Sequence, residues 1–140
     1  MNREGKPNYA FIDSQNLHIG VKESSWVIDY IKLRNYNYIL VFKPVLGIRK
    51  GSKLEYKGNV DAELVLHTMI NFNKYEKAII VSGDGDFHCL IEYLYQKKKL
   101  EKILTPNKKY SSLLKIYSRY IVSLDTLKAK LEKRGIPAGN

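Results

Sequence analysis

Short apolar runs of strand length alternate along the chain with segments whose apolar residues recur at helical spacing. Tyr9-Ala10-Phe11-Ile12 is the first such run, and it stops at Asp13. A helix is expected over about residues 15–21, and a second over about 29–36 with Asp29 as its N-cap. Tyr38-Ile39-Leu40-Val41-Phe42 is β-rich and closes at Lys43-Pro44. Residues 47–58 hold three glycines and read as a loop or a loose hairpin. Asn59 can cap the clearest helix, in which Ala62, Val65, Leu66, Met69 and Ile70 follow the i, i+3, i+4, i+7, i+8 spacing of one buried face. Ala78-Ile79-Ile80-Val81 is continuously apolar, as in a strand buried on both faces. After Ser82-Gly83-Asp84-Gly85-Asp86, a helix is expected to bury Phe87, Leu90, Ile91, Leu94 and Tyr95. Residues 102–105 form a short strand ending at Pro106. Leu113, Leu114 and Tyr117 predict a helix, residues 120–122 a last strand, and 124–133 a final helix.

This alternation predicts an α/β fold of three layers, with helices on both faces of a mainly parallel central sheet of four to five strands. No repeat or linker-like stretch divides the chain, so residues 1–140 are expected to form one domain with its core over about 8–134. Hydrophobic residues make up 44% and charged residues 27%, which excludes a disordered chain. The single cysteine, Cys89, excludes an internal disulfide and a cysteine-built zinc site, and it should lie half buried on its helix. His18, His67 and His88 share no zinc-like spacing. No apolar run approaches the ~20 residues of a membrane span, and the first residues lack a signal-peptide core. A cytoplasmic protein outside the membrane is expected.

Lys plus Arg total 24 against 14 acids, a net charge of +10 that attracts polyanions. Such a surface can also serve solubility alone, so the arrangement of the charges matters more than their sum.

Two apolar strands end directly in aspartates, the first at Asp13 and the second at Asp84 and Asp86. In parallel sheets ligands sit at the carboxyl ends of strands. Neighbouring strands would therefore gather these acids at one end of the sheet. Clustered carboxylates repel one another and resist desolvation, and a cation makes the cluster tolerable. An all-oxygen donor set suits Mg²⁺ or Mn²⁺. Asn16 can add an amide oxygen or bind phosphate or water. Asp61, in the first turn after Asn59, is a fourth candidate, although taken alone it would serve as complement to the helix dipole. Asp84 and Asp86 alone would make an Asx-turn before a helix. The chain has only six aspartates, and four fall where an α/β fold would bring them together.

These residues resemble a known family. Residues 9–17 (YAFIDSQNL), 57–64 (KGNVDAEL), 80–87 (IVSGDGDF) and 105–114 (TPNKKYSSLL) look like the NYN domain family, the LabA/DUF88-like branch of the PIN-like nuclease fold. The resemblance covers most of the chain and implies a Mg²⁺- or Mn²⁺-dependent ribonuclease site. Its acids map onto Asp13, Asp61, Asp84 and Asp86, with Asn16 beside them. Asp13 and Asp84 would be the central ligands, while Asp61 and Asp86 would bind a second metal or hold metal waters. Ser82, within the third motif, is taken as a substrate contact. Family members usually carry a further strand and helix where Tyr36-Asn37-Tyr38 here joins two elements directly. The sheet should then be one strand short, with the strand at 38–42 beside the first strand. Such a sheet would leave an edge that a second subunit could cover.

Arg49, Lys50, Lys53 and Lys57 crowd the segment before Asp61, and Lys108 and Lys109 follow the strand at 102–105. Both groups flank the acidic end and would grip phosphates without reading sequence. Ser111 and Ser112 are helix caps by preference, and Ser111 is also a candidate phosphate contact. The leading expectation is a metal-dependent ribonuclease acting on RNA. The alternative is a PIN-like module that binds RNA or a regulatory partner without cutting.

Overall fold

The structure, a computed structural model, describes residues 5–36, 38–42, 47–50, 53–56 and 60–133. Five parallel strands form the central sheet: β1 (Asn8–Ile12), β2 (Tyr38–Phe42), β5 (Ala78–Val81), β6 (Leu100–Thr105) and β7 (Ile121–Ser123). Their order is β2-β1-β5-β6-β7. β3 (Gly47–Lys50) and β4 (Lys53–Tyr56) form a separate antiparallel ribbon. The helices are α1 (Ser14–Glu23), α2 (Tyr30–Arg34), α3 (Val60–Ile70), α4 (His88–Gln96) and α5 (Lys128–Leu131). The chain steps from β1 outward to β2, then returns to place β5 on the other side of β1. The strand order therefore reverses between β1 and β5, where parallel sheets open a crevice at their carboxyl ends.

Side chains alternate across each strand and divide the core in two. Phe11, Ile80 and Ile103 pack with Leu64 of α3, Leu90, Ile91 and Leu94 of α4, and Tyr75. Ala10, Ile12, Ile79, Val81 and Leu104 pack on the opposite face with Leu17 and Val21 of α1, Leu33 of α2, and Leu131 of α5. β5 is buried on both faces, as its continuous apolar run predicts. β2 lies beside β1, in the expected place.

The rotation of α3 departs from expectation. Leu66 is 55% exposed and Ile70 59%, and Met69 is also outward, whereas Leu64 and Thr68 are buried. The inward row is Asp61, Leu64, Val65 and Thr68, again i, i+3, i+4, i+7. Thr68 can face the core because its hydroxyl donates to the Leu64 carbonyl at 2.8 Å, while its carbonyl accepts from Tyr75 Oη at 3.0 Å. Elsewhere Tyr95 is exposed rather than buried, since it leans on Tyr117 and Tyr120 at the surface. Cys89 is exposed. Residues 112–120 are 3₁₀ rather than α, with Tyr117 off helical geometry, and Leu113 faces solvent. The final helix is split into a 3₁₀ turn, Leu124–Leu127, and α5.

Candidate active site

Asp13 leaves the end of β1 and caps α1, its Oδ1 accepting from the Asn16 N–H at 3.2 Å. Its own N–H donates to the Val81 carbonyl at 3.1 Å, which welds the ends of β1 and β5 together. The carboxylate is 2% exposed. Ser82, equally buried, donates from Oγ to Asp13 Oδ2 at 3.1 Å and accepts from the Asp84 N–H at 3.1 Å. One hydroxyl therefore couples the two strand-end acids. Asn16 closes the same link from α1, its Oδ1 accepting from the Gly83 N–H at 2.9 Å.

Asp84 opens the 3₁₀ turn Gly85–Phe87 as the expected Asx-turn, accepting at Oδ1 from the Asp86 N–H at 2.9 Å. The turn presses on the chain after β6: Ser111 N–H donates to the Gly83 carbonyl at 3.0 Å, and a Cβ at Gly85 would collide with Ser111 Oγ. Only glycine fits this approach.

The inward rotation of α3 carries Asp61 over this end of the sheet. Carboxylate oxygens of Asp13, Asp61 and Asp84 lie within 4.8 Å of one another. Burial raises the Asp84 pKa above its ordinary value. The carboxylates of Asp86, Asp61 and Asp13 push the same way, against the lowering effect of the Asp86 N–H. A group whose proton is favoured by burial and, beyond that, by three neighbouring anions is one that a cation would also relieve.

The remaining expected site residues divide. Asp86 is exposed and stands outside the three-carboxylate group, though close enough to act on Asp84. Ser82 and Asn16, expected to touch substrate, place the Ser82 hydroxyl and the Asn16 amide oxygen in hydrogen bonds within the protein. They position the acids. The Ser-x-Asp spacing in Ser82-Gly83-Asp84 is the signal that could have revealed the Ser82 link. Ser111 caps the 3₁₀ helix, its Oγ accepting from the Leu113 N–H at 3.2 Å. Lys108 and Lys109 are exposed on the loop after β6. That loop is pinned at one end by Asn107 Nδ2, which donates to the Gly20 carbonyl at 3.0 Å, and at the other by the Ser111–Gly83 bond. The two lysines thus sit between α1 and the acidic turn. Arg49, Lys50 and Lys53 belong to the β3–β4 ribbon, and Lys57 and Asn59 lie outside the described residues.

The NYN domain model matches residues 23–125, a span that holds Asp61, Asp84 and Asp86. The chain belongs to the NYN domain family. Asp13 precedes the matched span, and the sheet brings it back to the other acids of this NYN domain. A crystal structure of a protein of unknown function from Vibrio parahaemolyticus is similar in fold. The two share 22% sequence identity with a TM-score of 0.62, over 95% of this chain and 100% of that one. No curated protein matches the chain. Among the described residues, no helix is long and apolar enough to cross a membrane.

Proposed function

We propose that this NYN domain is a Mg²⁺- or Mn²⁺-dependent ribonuclease that hydrolyses RNA phosphodiester bonds at Asp13, Asp61 and Asp84. The reading rests above all on the approach of three carboxylates within 4.8 Å at the switch point of the sheet. The donor set fits a hard cation. Oxygen ligands bind such ions at ~2.0–2.6 Å, so two ligands of one ion lie no more than about 5 Å apart. When bound, the cation supplies acidified water and neutralises charge on the phosphodiester and the leaving oxygen.

The chain's own residues do the rest. Ser82 and the Asn16 N–H hold both oxygens of Asp13. The Asp86 N–H orients Asp84, and the exposed Asp86 carboxylate is placed to hold water beside the cluster. Lys108 and Lys109, with Arg49, Lys50 and Lys53 of the ribbon and with Lys57, contact phosphates, and Ser111 offers its hydroxyl proton. Such contacts position the strand without reading bases, so cleavage should depend little on sequence. A cytoplasmic setting belongs to the same proposal.

Purified protein is expected to cut unstructured RNA with Mg²⁺ or Mn²⁺ and to stop with EDTA, and Asp84→Asn is expected to bind RNA without cutting it. Intact RNA binding with no cleavage under either metal would overturn the enzyme and leave a binding module.

A further inference from the structure

We propose that the open edge of β2 pairs antiparallel with β2 of a second copy of this chain, joining two five-stranded sheets about a two-fold axis. Among the described residues the sheet has two edges, and only one is guarded. β7 is three residues long and runs straight into a 3₁₀ turn, too short to template another strand. β2 is five residues, Tyr38 to Phe42, in unbroken register with β1 and without a bulge. Its five residues carry no charge and no proline, the usual means of blunting an edge, and Lys43-Pro44 follow only after its end in the sequence. β3 and β4 pair with each other rather than with β2.

The surroundings of this edge are apolar. Ile31 is 62% exposed, and Tyr36, Ile39 and Phe42 are all outward. A groove of about 390 Å³ between α2 and β2 is lined by Tyr30, Ile31, Tyr38, Ile39, Leu40 and Phe42, with Arg34 beside them. Tyr30 and Phe42 meet edge to face at 5.0 Å and form its wall.

The charge pattern selects the occupant. A chain of net charge +10 repels its own copy wherever lysines would face lysines. β2 itself brings no charge to such a contact, although Arg34 lines the adjoining groove, and a charged partner strand would find nothing on β2 to match it. Self-pairing about Leu40 sets Tyr38 against Phe42 and Ile39 against Val41, so that every facing pair is apolar or aromatic. An isologous two-fold contact closes on itself and does not propagate into a fibre. Because the paired strands run in opposite directions, the two acidic ends point away from each other. The dimer therefore stands or falls independently of the nuclease reading.

Sedimentation velocity on the full chain, up to about 100 µM, should show a species near twice 16.2 kDa. Ile39→Lys and Ile31→Glu should each weaken it at least ~10-fold, with unchanged far-UV circular dichroism. Should Ile39→Lys fail to fold, Ile31→Glu on the outer face of α2 decides alone. A monomer at every concentration would overturn the proposal, as would a dimer unmoved by the substitutions in folded protein.

Discussion

Replacing Asp84 by Asn should stabilise the metal-free protein while removing its response to metal. Asn keeps the shape and keeps an Oδ1 acceptor for the Asp86 N–H, so charge is the main change. With oxygens no more than 4.8 Å apart, each carboxylate pair repels by roughly 1 kcal/mol in water and ~3.5 kcal/mol at an effective dielectric near 20. Asp84 is partly exposed, so the low end applies. Removing its repulsion with Asp13 and Asp61 should yield about 1–2 kcal/mol. In urea at low salt with EDTA, the midpoint should rise by about 0.5–1 M. High salt should shrink the gain. Mn²⁺ at about 100 times its dissociation constant should then add about 2.7 kcal/mol to the wild type and far less to Asp84→Asn. If Asp84→Asn is no more stable than wild type in EDTA, the carboxylates do not oppose one another as the geometry requires.

Ser82→Ala should cost about 2–3 kcal/mol, because it strips a hydrogen bond from a buried carboxylate and leaves the Asp84 N–H without its acceptor. It should also weaken Mn²⁺ binding by roughly 10- to 100-fold in calorimetry; a change below about 0.5 kcal/mol with unaltered affinity would deny Ser82 its linking role. Lys108→Ala with Lys109→Ala should lower RNA affinity alike across sequences and flatten the salt slope by about one unit per lysine, whereas an unchanged slope would mean mere solvation. The Asp84 pKa is raised in the fold from 3.8, so its protonated form contributes stability below 3.8 that is lost as pH rises through the folded value. The advantage of Asp84→Asn in EDTA should therefore grow with pH across that window, and Mn²⁺ affinity of the wild type should fall as pH drops through it. A pH-independent difference in urea melts would contradict the assignment.

Most of the frame was legible because strand-length apolar runs and their polar stops are local features. Ile12–Asp13 and Val81–Ser82 mark strand ends whatever the tertiary context, and the switch point follows once β1 and β5 are neighbours. The rotation of α3 was not legible. Counting apolar residues favours the row of Leu66, Met69 and Ile70, yet the fold buries Thr68, whose hydroxyl is satisfied by the turn above it. The spacing of apolar residues cannot anticipate a hydrogen-bonded threonine, and that same rotation turns Asp61 inward. For Asp86 the pattern gave the neighbourhood but not the orientation, because its nearness in sequence to Asp84 says nothing of which way a 3₁₀ turn aims its exposed carboxylate. The bracing by Ser82 and Asn16 was not legible, since a polar residue beside an acid reads the same in sequence whether it faces substrate or holds the acid from behind.

The central claim is that three carboxylates from β1, α3 and the turn after β5 share one divalent cation. Anomalous diffraction from Mn²⁺-soaked crystals tests it most directly. The expected result is a single strong peak in contact with Asp13, Asp61 and Asp84, absent from Asp84→Asn crystals. A well-diffracting soak with no peak there, or with manganese bound only at Asp86, would contradict it.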